Sequence, residues 1–183
     1  MNDKSSVLGN MIEPIDVRLE QQVRLQTREY IRRASRLFDC PLAMIPVRFD
    51  LRGRAAGMYK VINSERMIRY NPYLFAKYFE DNVATTVPHE VAHYVVDMLY
   101  GASNVKPHGL EWQRVMRSFG TEPRATASYD LSGIPVRRQK RHAYQCACTL
   151  HSISTARHNR ILGGKARYYC RNCNTALKLA NSE

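Results

Sequence analysis

The sequence predicts an α+β fold in two parts: a helical domain carrying a small antiparallel sheet, then a small basic module that holds most of the cysteines. Three observations lead there. Apolar residues recur at helical spacing before and after a cluster of three short β-branched and aromatic runs. Four of the five cysteines lie in the last third of the chain. Of the formal net charge of +12 over 183 residues, +9 falls between Leu131 and Glu183, which leaves the first 130 residues nearly balanced at +3.

Taken in order, Leu19, Val23, Tyr30, Ala34, Leu37 and Phe38 recur at helical spacing among Arg, Gln and Glu, so an amphipathic helix is expected from Asp16 to Phe38. Pro41 and Pro46 end it. Val47–Leu51, Met58–Ile62 and Met67–Tyr70 are short runs punctuated by Gly53, Gly57 and Asn63-Ser64, which predicts a small antiparallel sheet. Asn71-Pro72 starts a short helix through Glu80, with Asn as the cap and Pro at the first helical position. A longer helix follows from Asn82 to Tyr100 and stops at Gly101, with a kink or loosening expected at Pro88. Leu110, Trp112, Val115, Met116 and Phe119 form one face of a further helix closed by Gly120. Thr121 to Pro135 carries two prolines, a glycine and small polar residues, so the domain boundary is placed there.

Hydrophobic residues make up 44% and charged residues 24%, a composition that buries a core and excludes disorder as the main state. No apolar run approaches the ~18 residues of a membrane span, so no membrane partner is expected. The start, MNDKSSVLGNMIEP, lacks a basic segment followed by an apolar one, which predicts a cytoplasmic, reducing setting with cysteines as thiols or metal ligands.

His89-Glu90-Val91-Ala92-His93 reads H-E-x-x-H on a predicted helix, so two imidazoles four residues apart leave one face and can chelate one Zn2+. Val87, Val91, Val95 and Val96 make that helix largely buried, and buried histidines need partners. A catalytic zinc takes three protein ligands and keeps an open position. His108, at the start of the next helix, is favoured as the third ligand over Glu111 one turn later. Glu90 is the expected general base. Asp97 either orients an imidazole or is a solvated helix charge. No spacing selects an oxyanion stabiliser among Tyr59, Tyr94 and Arg54.

Cys146-Ala-Cys148 and Cys170-Arg-Asn-Cys173 read as two knuckles of a zinc ribbon, with His142 or His151 as substitutes should a first-knuckle thiol not bind. Two zinc ions are therefore expected, one catalytic and one structural. Cys40, before Pro41, is expected to fill core. Four thiolates and Zn2+ contribute −2 locally and leave the last third near +7. Such a surface suits DNA or another polyanion, through Arg137, Arg138, Lys140, Arg141, Arg157, Arg160, Arg167 and Arg171. Tyr144, Tyr168 and Tyr169 interleave with these cations, either to stack on bases or to cover the ribbon's small core.

These residues resemble the SprT family, bacterial relatives of the eukaryotic Spartan proteases. The resemblance rests on Val87-Pro88-His89-Glu90-Val91-Ala92-His93, on Lys106-Pro107-His108-Gly109 leading to Glu111-Trp112, and on Tyr144-Gln145-Cys146-Ala147-Cys148. Arg157-His158-Asn159-Arg160, Tyr169-Cys170 through Cys173, Arg52-Gly53 to Ala56-Gly57 and Arg69-Tyr70-Asn71-Pro72 complete it. It implies a zincin-like metalloprotease domain with His89, His93 and His108 on zinc, Glu90 as base and a C-terminal zinc ribbon. In Spartan-type relatives the substrates are proteins crosslinked to DNA, and DNA binding licenses proteolysis. The implied organisation is a tail over 1–15, the protease domain over 16–120, a linker over 121–141 and the basic ribbon over 142–180. The competing reading is a non-enzymatic nucleic-acid-binding or transcription-associated factor whose H-E-x-x-H zinc is structural, closed by Glu111 or Asp97. Hydrolysis of a small amide is a third.

Overall fold

The computed structural model describes residues 11–126, 128–136 and 140–180. The chain divides into two units, Met1–Val136 and Arg137–Glu183. Arg137 and Arg138, expected at the nucleic-acid surface, lie outside the described residues.

In the first unit, helix α1 (Val17–Leu37) starts where the Asp16 carboxylate accepts the Leu19 N–H at 2.8 Å. Its inward stripe is Val23, Thr27, Ile31 and Ala34, all buried, while Leu37 is half exposed. Thr27 is tolerated inside because its hydroxyl bonds both the Val23 carbonyl and the Tyr70 hydroxyl.

Strands β1 (Val47–Arg48), β2 (Gly57–Ile62) and β3 (Glu65–Tyr70) form a sheet of order β1-β3-β2. β2 and β3 are an antiparallel hairpin whose turn, Asn63-Ser64, has positive φ at both residues, 48° and 67°. The expectation of a purely antiparallel sheet is corrected at β1, which runs parallel to β3 with Val47 opposite Ile68. The chain leaves β1, crosses over residues 49–56 and enters β2 on the far side of β3, so two successive strands share a sheet without pairing.

Asn71 then does three things at once. Its side-chain oxygen caps α2 (Pro72–Lys77) by accepting from Tyr73 and Leu74 N–H, its amide donates to the Gly53 and Ala55 carbonyls, and its own N–H bonds the Ala56 carbonyl at 2.8 Å. The crossover loop is thereby fixed against the helix start.

After the short turn α3 (Phe79–Asp81), residues Asn82–Thr86 form a π-helical turn that leads directly into α4 (Val87–Tyr100). The loosening expected at Pro88 is this turn: the Val87 N–H reaches back five residues to the Asn82 carbonyl, just ahead of the residue that has no N–H to give. α4 ends at Gly101, φ 78°, and α5 (Leu110–Ser118) packs against it with Trp112, Val115 and Met116 buried. The core joins the inner faces of α1, α4 and α5 with Ile68, Tyr70 and Phe75, and Cys40 packs at its edge.

Part of the stretch expected as linker over 121–141 is tied to the first unit. Ile134 is buried, Gly133 accepts the Ile12 N–H, and Lys77 bonds the Asp130 carboxylate at 2.8 Å. The second unit is an antiparallel sheet of order β5-β4-β6, from β4 (Arg141–Gln145), β5 (Leu150–Ser154) and β6 (Lys178–Leu179), with α6 (Thr155–Leu162) between β5 and β6. Among its described residues only Tyr144, Ile153 and Cys170 are buried. No helix of the described residues is long and apolar enough to cross a membrane.

Candidate metal centres

His89 and His93 leave the same face of α4, and His108 comes to meet them from the turn before α5, where its backbone adopts φ 57°. Their Nε2 atoms lie 3.0 to 3.2 Å from one another. Tetrahedral zinc at 2.0–2.1 Å from each nitrogen separates ligand nitrogens by about 3.3 Å, so this donor set fits the ion closely. Burial lowers the His89 imidazole to about 4 and the His93 imidazole to about 3, helped by the neighbouring histidines, so both rings are the neutral species that ligation requires. Trp112 backs all three rings, with centroids 4.7, 5.7 and 4.8 Å away, and its indole N–H donates to the His89 carbonyl. Glu111, the alternative third ligand, is not a member of this group.

Glu90 faces the sheet. It is buried, and its Oε2 accepts the Tyr59 main-chain N–H at 2.6 Å. Oε1 takes no hydrogen bond from the described residues and is not sealed from solvent. Burial pushes the carboxyl up to about 8, against the opposing pull of the Tyr59 N–H.

The side chain packs so closely over β2 that a Cβ at Gly57 would sit 2.6 Å from both its Cγ and its Oε1. This requirement for glycine was not singled out from the sequence, because it concerns a neighbour thirty-three residues away.

Asp97 neither orients an imidazole nor faces water. Its Oδ2 accepts the Tyr59 hydroxyl and Arg66 Nε, each at 2.7 Å, and its Oδ1 accepts the Ala102 N–H. α4 therefore grips Tyr59 at both ends, main chain by Glu90 and hydroxyl by Asp97. Burial, helped by Asp97, raises the Tyr59 phenol far above its ordinary value.

His89 and Glu90 open onto a cleft of about 650 Å³, lined by Arg54–Gly57 of the crossover loop, by Thr85 and Thr86 of the π turn, and by Glu122, Arg124 and Tyr129. Of Tyr59, Tyr94 and Arg54, among which the sequence selects no oxyanion stabiliser, Arg54 lines this cleft. Tyr59 is held by Asp97, and Tyr94 donates to the Ala43 carbonyl. Arg124, not anticipated from the sequence, is a second cation on the same cleft.

In the second unit, Cys146, Cys148, Cys170 and Cys173 converge. Cys146 Sγ is 3.4 Å and Cys170 Sγ 3.7 Å from Cys148 Sγ, close to the ~3.8 Å between sulfurs of a tetrahedral zinc–thiolate site. Neighbouring thiols push Cys148 up to about 12, while Thr175 pulls Cys173 down to about 6. Four thiols packed together resist common ionisation unless a cation shares the site, so this set also fits zinc. The knuckles are tied together by the Ala147 N–H on Thr175 Oγ1.

Of the two substitute ligands, His151 reaches Cys146 Sγ at 3.2 Å, and His142 instead bonds Thr155 and stacks on His158 at 3.7 Å. Tyr144 is fully buried and serves the core, Tyr169 is half exposed, and Tyr168 lies under the Arg157 guanidinium. Lys140, Arg141, Arg157, Arg160, Arg167 and Arg171 are all exposed.

The family model described as SprT-like matches residues 23–140, a span holding His89, Glu90, His93 and His108. The chain is 36% identical over 162 residues to Protein SprT of Pasteurella multocida, covering 88% of this chain and 94% of that one. It is 32% identical over 163 residues to Protein SprT of Shewanella oneidensis, covering 88% and 100%. Against Protein SprT of Pseudomonas paraeruginosa identity is 36% over 150 residues, covering 80% and 87%. No solved structure matches. A family model spanning more than half of the chain, with relatives aligned over nearly their whole length, shows that the chain belongs to the SprT-like family.

Proposed function

We propose that the chain is a zinc-dependent peptidase acting on DNA-associated or DNA-crosslinked proteins, with its second unit a zinc ribbon that contacts the nucleic acid. The observation that carries the peptidase reading is the convergence of His89, His93 and His108 beside a buried Glu90 with one oxygen held and the other free. When bound there, zinc supplies Lewis acidity, which makes water a stronger acid and polarises a peptide carbonyl. The residues do the rest. The three imidazoles hold the ion, Trp112 fixes their planes, and Tyr59 N–H anchors one Glu90 oxygen so that the other accepts a proton from the attacking water. A carboxylate whose conjugate acid is raised to about 8 is a stronger base than an ordinary one and so takes the water's proton more readily. Against a closed structural site, Asp97 is committed to Tyr59 and Arg66, and Glu111 stands outside the histidine group.

The choice of DNA-associated substrates is supported by the resemblance to Spartan-type proteases and by charge: no Asp or Glu occurs between Leu131 and Ser182. The test is cleavage of a protein covalently attached to DNA, with and without the DNA, before and after chelation of zinc. Cleavage is expected only with DNA present and zinc retained. Metal-independent cleavage, or none with two zincs bound, overturns the reading.

Two further outcomes are expected. Replacing Gly57 by Ala drives a methyl into Glu90 and displaces the carboxylate, so hydrolysis should fall by about 10²-fold with zinc content unchanged, as measured by turnover and metal analysis. Nucleic-acid affinity should fall steeply with salt. Exchanging Arg137, Arg138, Lys140 and Arg141 for Ala should flatten the log–log slope by about 3 to 4, as read by titration across a salt series. A slope unaffected by the exchange assigns the phosphates to other residues.

A further inference from the structure

We propose that Cys148 is the position at which the metal-loaded second unit is attacked by electrophiles and peroxides, and that its modification releases the metal. The inference rests on the zinc-ribbon reading above and concerns the four sulfurs, which the structure does not treat alike. With a cation in place all four are thiolates, so their relative reactivity is set by access and by the hydrogen-bond donors each one receives.

Cys146 Sγ accepts from the Cys148 N–H at 3.4 Å and faces His151 Nε2 at 3.2 Å. Cys170 Sγ accepts from the Asn172 N–H at 3.4 Å and is buried, and Cys173 Sγ meets the Thr175 hydroxyl at 2.9 Å. Cys148 has no N–H or O–H donor among the described residues, and it is the one exposed cysteine of the four. A donor draws electron density from a thiolate and blocks one approach to it. The sulfur lacking both a donor and cover is therefore the nucleophile of the set.

A partner for a second step is also in place. With hydrogen peroxide as oxidant, the Cys148 thiolate takes one oxygen as the O–O bond breaks and hydroxide departs, giving a sulfenic acid. The Cys170 thiolate, 3.7 Å away, then attacks that sulfur. An S–S bond forms, hydroxide leaves, two thiolates have lost two electrons and the peroxide has gained them. A disulfide cannot serve as two thiolate ligands, so the metal is lost. With N-ethylmaleimide the sulfur adds across the carbon–carbon double bond and a proton comes from water, which likewise removes one ligand.

The experiment uses the full chain with its zinc counted first, then limiting N-ethylmaleimide or hydrogen peroxide, peptide mass spectrometry for each cysteine, and a chromogenic chelator for released zinc. Cys148 should be modified at least about threefold faster than Cys146, Cys170 or Cys173, with zinc appearing in step with it. In His151→Phe, Cys146 should rise toward the Cys148 rate, and in Thr175→Val the Cys173 rate should rise, with Cys148 unchanged in both. Even labelling of the four, first attack elsewhere, or zinc held after full modification of Cys148 overturns the inference. So does a pair of variants that leaves the order unmoved. A chain carrying no zinc that depends on Cys173 fails the ribbon reading itself, and that shows in the metal count before any reagent is added.

Discussion

Exchange of Glu90 for Gln is expected to lower hydrolysis roughly 10³-fold, in the middle of the range for loss of a general base, with zinc content unchanged. Glutamine has the same shape, its carbonyl oxygen can keep the Tyr59 N–H, and its amide then presents a donor where the wild type presents an acceptor. Stability should move the other way. Burial raises the carboxyl to about 8 from an ordinary 4.5, so ionising it in the folded chain carries a penalty that is absent below the unfolded value and grows as pH rises toward 8. The amide carries no such penalty. Zinc-free Glu90→Gln should therefore melt higher than the zinc-free wild type near pH 8, and the gap should close near pH 4. Hydrolysis within tenfold of wild type would remove Glu90 from the reaction, whatever the melting curves show.

The candidate site was legible where chemistry is written in short spacing. Two histidines four apart and two cysteine knuckles declare themselves locally, and His108 followed from its place just before a helix able to pack on the first. What stayed hidden depends on tertiary neighbours. Gly57 reads as a strand glycine until Glu90 is laid across it. Asp97 reads as a solvated charge because its partners, Tyr59 and Arg66, come from the hairpin rather than from its own helix. Arg124 sits in a proline-bearing stretch that looks like linker, and only its packing brings it to the cleft.

The fold was legible to a similar depth. Caps and periodicity placed α1, α2 and α5 within a few residues of their observed ends and α4 at its Gly101 end, because Asp16, Asn71-Pro72 and Gly101 act on their immediate neighbours, whereas the start expected at Asn82 falls in the π turn. Strand order is another matter. β1 pairs with β3 across the hairpin, and nothing in the alternation of Val47–Leu51 distinguishes that arrangement from a simple meander. The burial of Ile134 was obscured in the same way, since it is a single apolar side chain in a polar run.

Exchange of Cys170 for Ala should cost the chain one zinc and the fold of its second unit. Tyr144, Ile153 and Cys170 are its only buried apolar residues among those described, far too few to offset the entropy of ordering a segment of this length. A structural zinc contributes roughly 10–16 kcal/mol of binding free energy to such a module, and three thiolates hold the ion less well than four. The β4–β5 hairpin and the Tyr144–His158 contact should then lose their protection in hydrogen exchange and their dispersion in NMR spectra. The first unit draws its core from its own residues, Ile15 to Phe119, so its unfolding transition should stay where it is. Nucleic-acid binding should drop to the weak level of an unstructured basic chain, because the exposed cations would no longer be held on one scaffold. Retention of two zincs and of full affinity by Cys170→Ala would mean that the four-cysteine cluster is not what folds the module.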